Sequence, residues 1–437
     1  MRDILIILYR TILLLVSALV LQDTWAEESP EAGAEVPPDP VALLHEGRYE
    51  EALTILEELE LLWREEIARE NTDQNRRGLF NNLWFRGIAK EGLQKFDEAL
   101  DYYRQAHELI ETTEFLPDDL ANFLQMSGGV EAKAGLYDKA EKTYLQAIEQ
   151  RKKIEPATRE PGLSISQNTL GLLYLTTGRY QEAGQLFREA FAKSEALRTE
   201  ETNYDALEFQ HDCLGRYFYA MRSYAKAAQH WEDAKSYALS TGKIRTHPVI
   251  INLTQNIGLA LLRLGPGSQD DARRYLQEST GFARELWELE KSPYNTLQFA
   301  SHLSNFGQLE LVSGNNERAR TLFRESLDLA GEQLGSTPRF LAPYHTNLAS
   351  SNRQLGNYKE ALASYQRSME LYRASVGTRH QAYIEVTNDY LETLLLSNTS
   401  REKVATETRE FTSQALQLFD DIIALDRKST RLNSSHQ

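Results

Sequence analysis

His211, Asp212 and Cys213 set a base, an acid and a nucleophile side by side, the residue types from which a catalytic thiolate is assembled. Their adjacency argues against that use. Neighbours on a helix point about 100° apart, whereas catalytic partners converge in space from separated positions. Cys213 reads instead as a small, semi-buried helical residue. The segment Leu264-Gly-Pro-Gly-Ser-Gln-Asp-Asp271 has the glycines of a phosphate loop. It lacks the lysine and puts two carboxylates where an anion would sit. It reads as a lengthened turn between helices, with Ser268 capping the helix that follows. No Gly-rich loop ending in Lys-Ser/Thr, no His-Glu-x-x-His, no Gly-x-Ser-x-Gly and no paired-cysteine spacing occurs. The nine histidines show no ligand spacing. No catalytic residue, cofactor or metal is assigned, and the chain is expected not to be an enzyme.

The whole-chain balance points the same way. The 437 residues carry 48 basic and 64 acidic side chains, a net charge of −16. Nucleic-acid binding needs cations against phosphates, and anionic membrane surfaces need them too, so neither partner is expected. The 41% hydrophobic and 26% charged composition is that of a folded chain. With one cysteine, no intrachain disulfide can form. Export therefore rests on the first residues alone. Thr11 to Leu21 has the length of a signal-peptide apolar region, with Arg2 and Arg10 before it. Thr24 and Ala26 supply small residues for cleavage before Glu27. The rival reading is an uncleaved anchor, because Ile4 to Leu21 just reaches spanning length. The expected location is periplasmic or secreted, with N-terminal membrane anchoring as the alternative.

After an acidic, proline-containing spacer over residues 27–40, one pattern recurs. It is a Gly-x-Tyr-x-x-Ala turn opening an amphipathic helix, as in Gly47 to Ala52, Gly135 to Ala140, Gly178 to Ala183 and Gly356 to Ala361. The alanines are Ala52, Ala99, Ala140, Ala183, Ala227, Ala272, Ala319 and Ala361, spaced 47, 41, 43, 44, 45, 47 and 42 residues apart. Steady spacing of this kind marks a solenoid. Four residues on stands a large apolar side chain: Leu56, Tyr103, Tyr144, Phe187, Trp231, Leu276, Phe323, Tyr365. Seven on, all but Leu59 are small: Ala106, Ala147, Ala190, Ala234, Ser279, Ser326, Ser368. These spacings share one helix face. Twelve residues before the alanine comes Gly87, Gly128, Gly171, Gly215, Gly307 or Ala349. In the sixth repeat Gly258 lies two residues further back. This glycine is expected to let two helix backbones approach. The turn and the hole-filling position account for most of the 21 Tyr and 16 Phe, which are read as core.

This helix–turn–helix unit resembles the tetratricopeptide repeat, and its period resembles the longer variety found in kinesin light chains. Departures are Gln94 and Arg222 where the turn prefers glycine, and Gln269 and Asn316 where it prefers tyrosine. The resemblance covers residues 41–425, with a degenerate ninth unit around Ala405. It implies an all-α fold, a right-handed α-α superhelix of about eight to nine repeats with a concave groove lined by the leading helices. The first unit, with Pro40 where its small residue belongs, reads as a cap. Residues 1–26 are read as the signal peptide. Residues 426–437 resemble a translated sequencing-adapter oligonucleotide, so the natural chain is expected to continue beyond Leu425.

In the family, part of each leading helix faces the groove. Asn305 and Asn347 stand fourteen residues before their alanines there, Asn256 is their counterpart in the sixth repeat, and Asn388 is read as a further member of the row. Asn168 lies one place earlier in the fourth repeat. Gln255, Ser304, Gln308, Thr346 and Arg353 share the stripe. An asparagine amide donates and accepts, so such a row can clamp an extended peptide backbone irrespective of its sequence. The expected function is an exported adaptor holding a protein or peptide partner. The alternative is the regulatory region of a longer protein with a C-terminal effector, such as a caspase-like peptidase.

Overall fold

The computed structural model describes residues 39–397 apart from 46, 94, 155, 197–203, 335–340 and 376–380, together with 406 and 409. The segments read as signal peptide and terminal tail, the spacer up to residue 38, and Ala405 lie outside the described residues. Among those described there are seventeen α-helices and no strand. They are α1 Pro40–His45, α2 Tyr49–Arg69, α3 Asp73–Gly92, α4 Phe96–Ile110, α5 Pro117–Lys133, α6 Tyr137–Lys152, α7 Pro156–Thr176, α8 Tyr180–Ala196, α9 Tyr204–Ala220 and α10 Tyr224–Ser240, then α11 Pro248–Leu264, α12 Gln269–Leu289, α13 Pro293–Val312, α14 Asn316–Leu334, α15 Ala342–Gln354, α16 Tyr358–Ser375 and α17 Gln381–Leu396. The odd-numbered helices lead each hairpin and the even-numbered ones trail. α1 spans six residues. No described helix is long and apolar enough to cross a membrane.

Two compact units divide the chain, Met1–Lys243 and Ile244–Gln437. In each, every helix packs on its sequence neighbours. Leading helices also meet one another, α5 with α7 and α7 with α9 in the first unit, α11, α13, α15 and α17 in series in the second.

The turns follow from glycine. Gly135 (φ 82°), Gly178 (φ 79°) and Gly314 (φ 81°) take the left-handed conformation that ends a helix without a Cβ clash. The next N–H then closes the helix end: Leu136 N donates to Glu131 O at 2.9 Å, and Asn315 N to Glu310 O at 2.8 Å. Arg222 takes the same conformation with φ 57°, the one non-glycine to do so among the described residues. In the lengthened turn, Pro266–Ser268 forms a 3₁₀ turn. Ser268 occupies the cap position of α12 but its side chain accepts no capping hydrogen bond. The backbone here closes the 3₁₀ turn instead, with Ser268 N donating to Gly265 O at 3.0 Å.

The core repeats hairpin by hairpin. All eight repeat alanines are 0% exposed, and the large residues four positions on are almost as inaccessible. Some glycines of the leading helices do something different from what their spacing suggested. A Cβ on Gly128 would stand 2.7 Å from the Tyr144 ring, one on Gly171 2.6 Å from Phe187, and one on Gly307 2.6 Å from Phe323. At these three the space is filled by a ring from the trailing helix of the same hairpin, so the glycine seats an aromatic face; at Gly258 the neighbour is Leu276, whose backbone N would lie 3.1 Å away, the close backbone approach that the spacing suggested. The turn tyrosines are less buried than a core reading implies. Tyr137 is 41% and Tyr180 43% exposed, because they start helices at the rim of the hairpin.

Candidate partner-binding surface

The asparagine row is carried by the second unit. Asn256 lies on α11, Asn305 on α13, Asn347 on α15 and Asn388 on α17, four leading helices that contact one another in that order. The first three are half-buried and Asn388 is exposed. No hydrogen bond ties the amides of Asn256 and Asn305 among the described residues. Asn347 donates from Nδ2 to Ser304 Oγ at 2.8 Å, stitching α15 to α13. Gln308 is half-buried one turn along α13 from the row. Arg353 ends the stripe on α15. Its guanidinium bonds Glu392 at 2.5 Å and lies 3.9 Å from Asp389, both on α17. Arg353 and Asn347 thus brace neighbouring leading helices while bordering the row.

Three sequence candidates leave the stripe. Asn168 is 1% exposed, with neither amide atom hydrogen-bonded. The one-residue offset rotates a helical side chain by about 100°, which takes it off the face and into the core. Thr346 turns towards its own hairpin partner, its hydroxyl 2.7 Å from Ser368 Oγ. Gln255 is buried beside the row, its Oε1 unpartnered. The equivalent positions in the first unit are Phe85, Met126, Thr169 and Cys213, the last three buried. Among the described residues the half-open amide row therefore belongs to the second unit.

The His211-Asp212-Cys213 run disperses, as adjacency on α9 requires. Cys213 is wholly buried and its thiol is pushed well above the usual range by desolvation, the opposite of an activated thiolate. Asp212 accepts from Trp231 Nε1 at 2.9 Å and pairs with Arg216 at 2.7 Å, so it holds the hole-filling indole in place. His211 turns to α10, where its Nδ1 lies 3.2 Å from His230 Nδ1 and 3.4 Å from Asp233 Oδ2. Reading histidine spacing along the chain did not find this grouping, because its members come from two helices. The legible half was His230 and Asp233, three residues apart on one face of α10. A cleft of about 250 Å³ in the first unit is lined by both signs of charge, including Arg104, Glu108, Glu131 and Lys139. Those groups pair off, Arg104 with Glu108 and Lys139 with Glu131, and leave no convergent donor set.

Stacked helical hairpins with one alanine–aromatic–small register define an all-α solenoid-repeat protein that presents leading-helix surface. Residues 119–196, 298–374 and 339–401 match the tetratricopeptide repeat family. Over those residues the chain consists of tetratricopeptide repeats. No curated protein sequence matches it. Among solved structures, it resembles a signal-transduction ATPase with numerous domains carrying a tetratricopeptide repeat sensor, from Pyrococcus horikoshii. That likeness has 12% identity and a TM-score of 0.54, and covers 86% of this chain and 53% of that one. The apo form of the quorum sensor NprR from B. thuringiensis is similar at 12% identity and a TM-score of 0.51, covering 76% and 87%. BtubC from P. vanneervenii matches at 19% identity and a TM-score of 0.46, covering 56% and 93%. At such identities the first two likenesses are ones of fold.

Proposed function

We propose that the chain is an exported adaptor that holds an extended segment of a partner polypeptide along α11, α13, α15 and α17. The observation that carries this reading is the row of amides at Asn256, Asn305 and Asn347, half-open to solvent at matching places on successive leading helices. Each amide offers the donor and acceptor that a peptide unit needs. Two of them have no hydrogen-bond partner among the described residues. Export rests on the apolar Thr11 to Leu21 segment and the small residues before Glu27. The test is capture of immobilised extended peptides by the full chain and by the Asn305→Ala/Asn347→Ala double variant. A hydrogen bond is worth about 1 kcal/mol net, so losing two should weaken retained peptides by about tenfold or more. Unchanged affinity in a normally folded double variant would discard the amide clamp.

A further inference from the structure

We propose that His211, His230 and Asp233 form a binding site for one divalent transition-metal ion, zinc by the chemistry of the donors, with its fourth position open to solvent. The three ligand atoms lie within 4.8 Å of one another. A zinc ion bound tetrahedrally at about 2.0–2.1 Å separates neighbouring ligand atoms by about 3.4 Å. The His211 Nδ1–His230 Nδ1 distance of 3.2 Å and the His211 Nδ1–Asp233 Oδ2 distance of 3.4 Å already have that length. The third pair of ligand atoms lies within 4.8 Å as well, and Asp233 is more exposed than His211.

The surroundings hold these donors in place. His230 stacks on Phe218 with the planes 3° apart and centroids 5.2 Å apart. His211 meets Phe191 edge-on at 5.2 Å and leans on Tyr237 at 5.4 Å. Asp233 is oriented by Gln229, whose Nε2 donates to Oδ1 at 3.1 Å and leaves Oδ2 facing the histidines. Burial lowers the pKa of both imidazoles, against the opposing pull of the Asp233 carboxylate. Neutral imidazole is the ligating form. Asp233 supplies one negative charge towards the ion. Two imidazoles and a carboxylate suit zinc, and cobalt, nickel and copper in its place, rather than calcium or magnesium.

The experiment is equilibrium dialysis of the untagged full chain against zinc chloride at neutral pH, with cobalt(II) as a visible-absorption probe. One zinc per chain is expected, with cobalt giving the intense bands of a tetrahedral site. Asp233→Asn, at a half-exposed position, should weaken zinc by about tenfold or more, and His230→Gln should abolish the cobalt bands. Circular dichroism checks both folds, and if His230→Gln misfolds the Asp233→Asn titration alone decides. Failure to retain stoichiometric zinc, or equal retention by the folded variants, overturns the site and leaves a histidine–histidine hydrogen bond only.

Discussion

Gly307→Ala sets two effects of opposite sign against each other. In a helix interior, alanine is favoured over glycine by about 1 kcal/mol. At Gly307 the added Cβ would stand 2.6 Å from Phe323 Cε1 and 2.8 Å from Cδ1. The ring is about 1% exposed and packs with Ala319 and Leu348, so it has no room to retreat. Overpacking of this kind costs about 1–3 kcal/mol, which leaves a net loss of up to about 2 kcal/mol. Gly281→Ala on α12 makes the same chemical change where the new Cβ meets nothing within 4 Å, and should stabilise by about 1 kcal/mol. Urea unfolding followed by circular dichroism compares the two midpoints. Adding Phe323→Leu to Gly307→Ala should recover part of the loss, since the shorter side chain leaves the seat empty. Gly307→Ala as stable as Gly281→Ala, or no recovery in the double variant, would refute the seating of the ring on the glycine.

Two further substitutions probe the fold elsewhere. Arg222→Gly relieves a left-handed residue whose φ is 57° and should stabilise the first unit by about 1 kcal/mol, read as a higher melting temperature; a lower one would contradict the strain. His302 is wholly buried with both ring nitrogens unpartnered among the described residues, and burial drives its pKa down to about 3. Because the folded value lies below the ordinary one of about 6.5, the unfolded chain takes up the proton first. Stability is therefore full above about pH 6.5 and declines as pH falls towards 3, by up to about 5 kcal/mol. His302→Leu should flatten that decline in acid-unfolding curves, and an unchanged slope would place the titration on another group.

Where a feature depended on one helix face, the sequence was enough to find it. The alanine, the large residue four on and the small one seven on fall on a single stripe, and all three are buried where their spacing placed them. Glycine at the turn was legible because only its backbone takes positive φ without cost, and Arg222 was recognisable as the exception. Features that depend on which helix lies opposite were not legible. Spacing marked Gly128 and Gly307 as small, but nothing along the chain says that a ring rather than a backbone would cover them. The offset of Asn168 by one residue was visible in the spacing, but that it turns the side chain into the core follows from the packing of α7. His211 is nineteen residues from His230, and only the packing of α9 on α10 makes them neighbours. Ser268 was read as a cap from residue type, but its hydroxyl accepts no capping hydrogen bond.

The glycine-seated rings have a consequence for how the polypeptide is made. Each ring lies about one helix length from its seat, sixteen residues in the cases of Gly128 with Tyr144 and Gly307 with Phe323. Such contacts have low sequence separation and form early. A hairpin can fasten itself soon after it leaves the ribosome, before later parts of the chain exist, which shortens the time that its aromatic residues remain open to wrong partners.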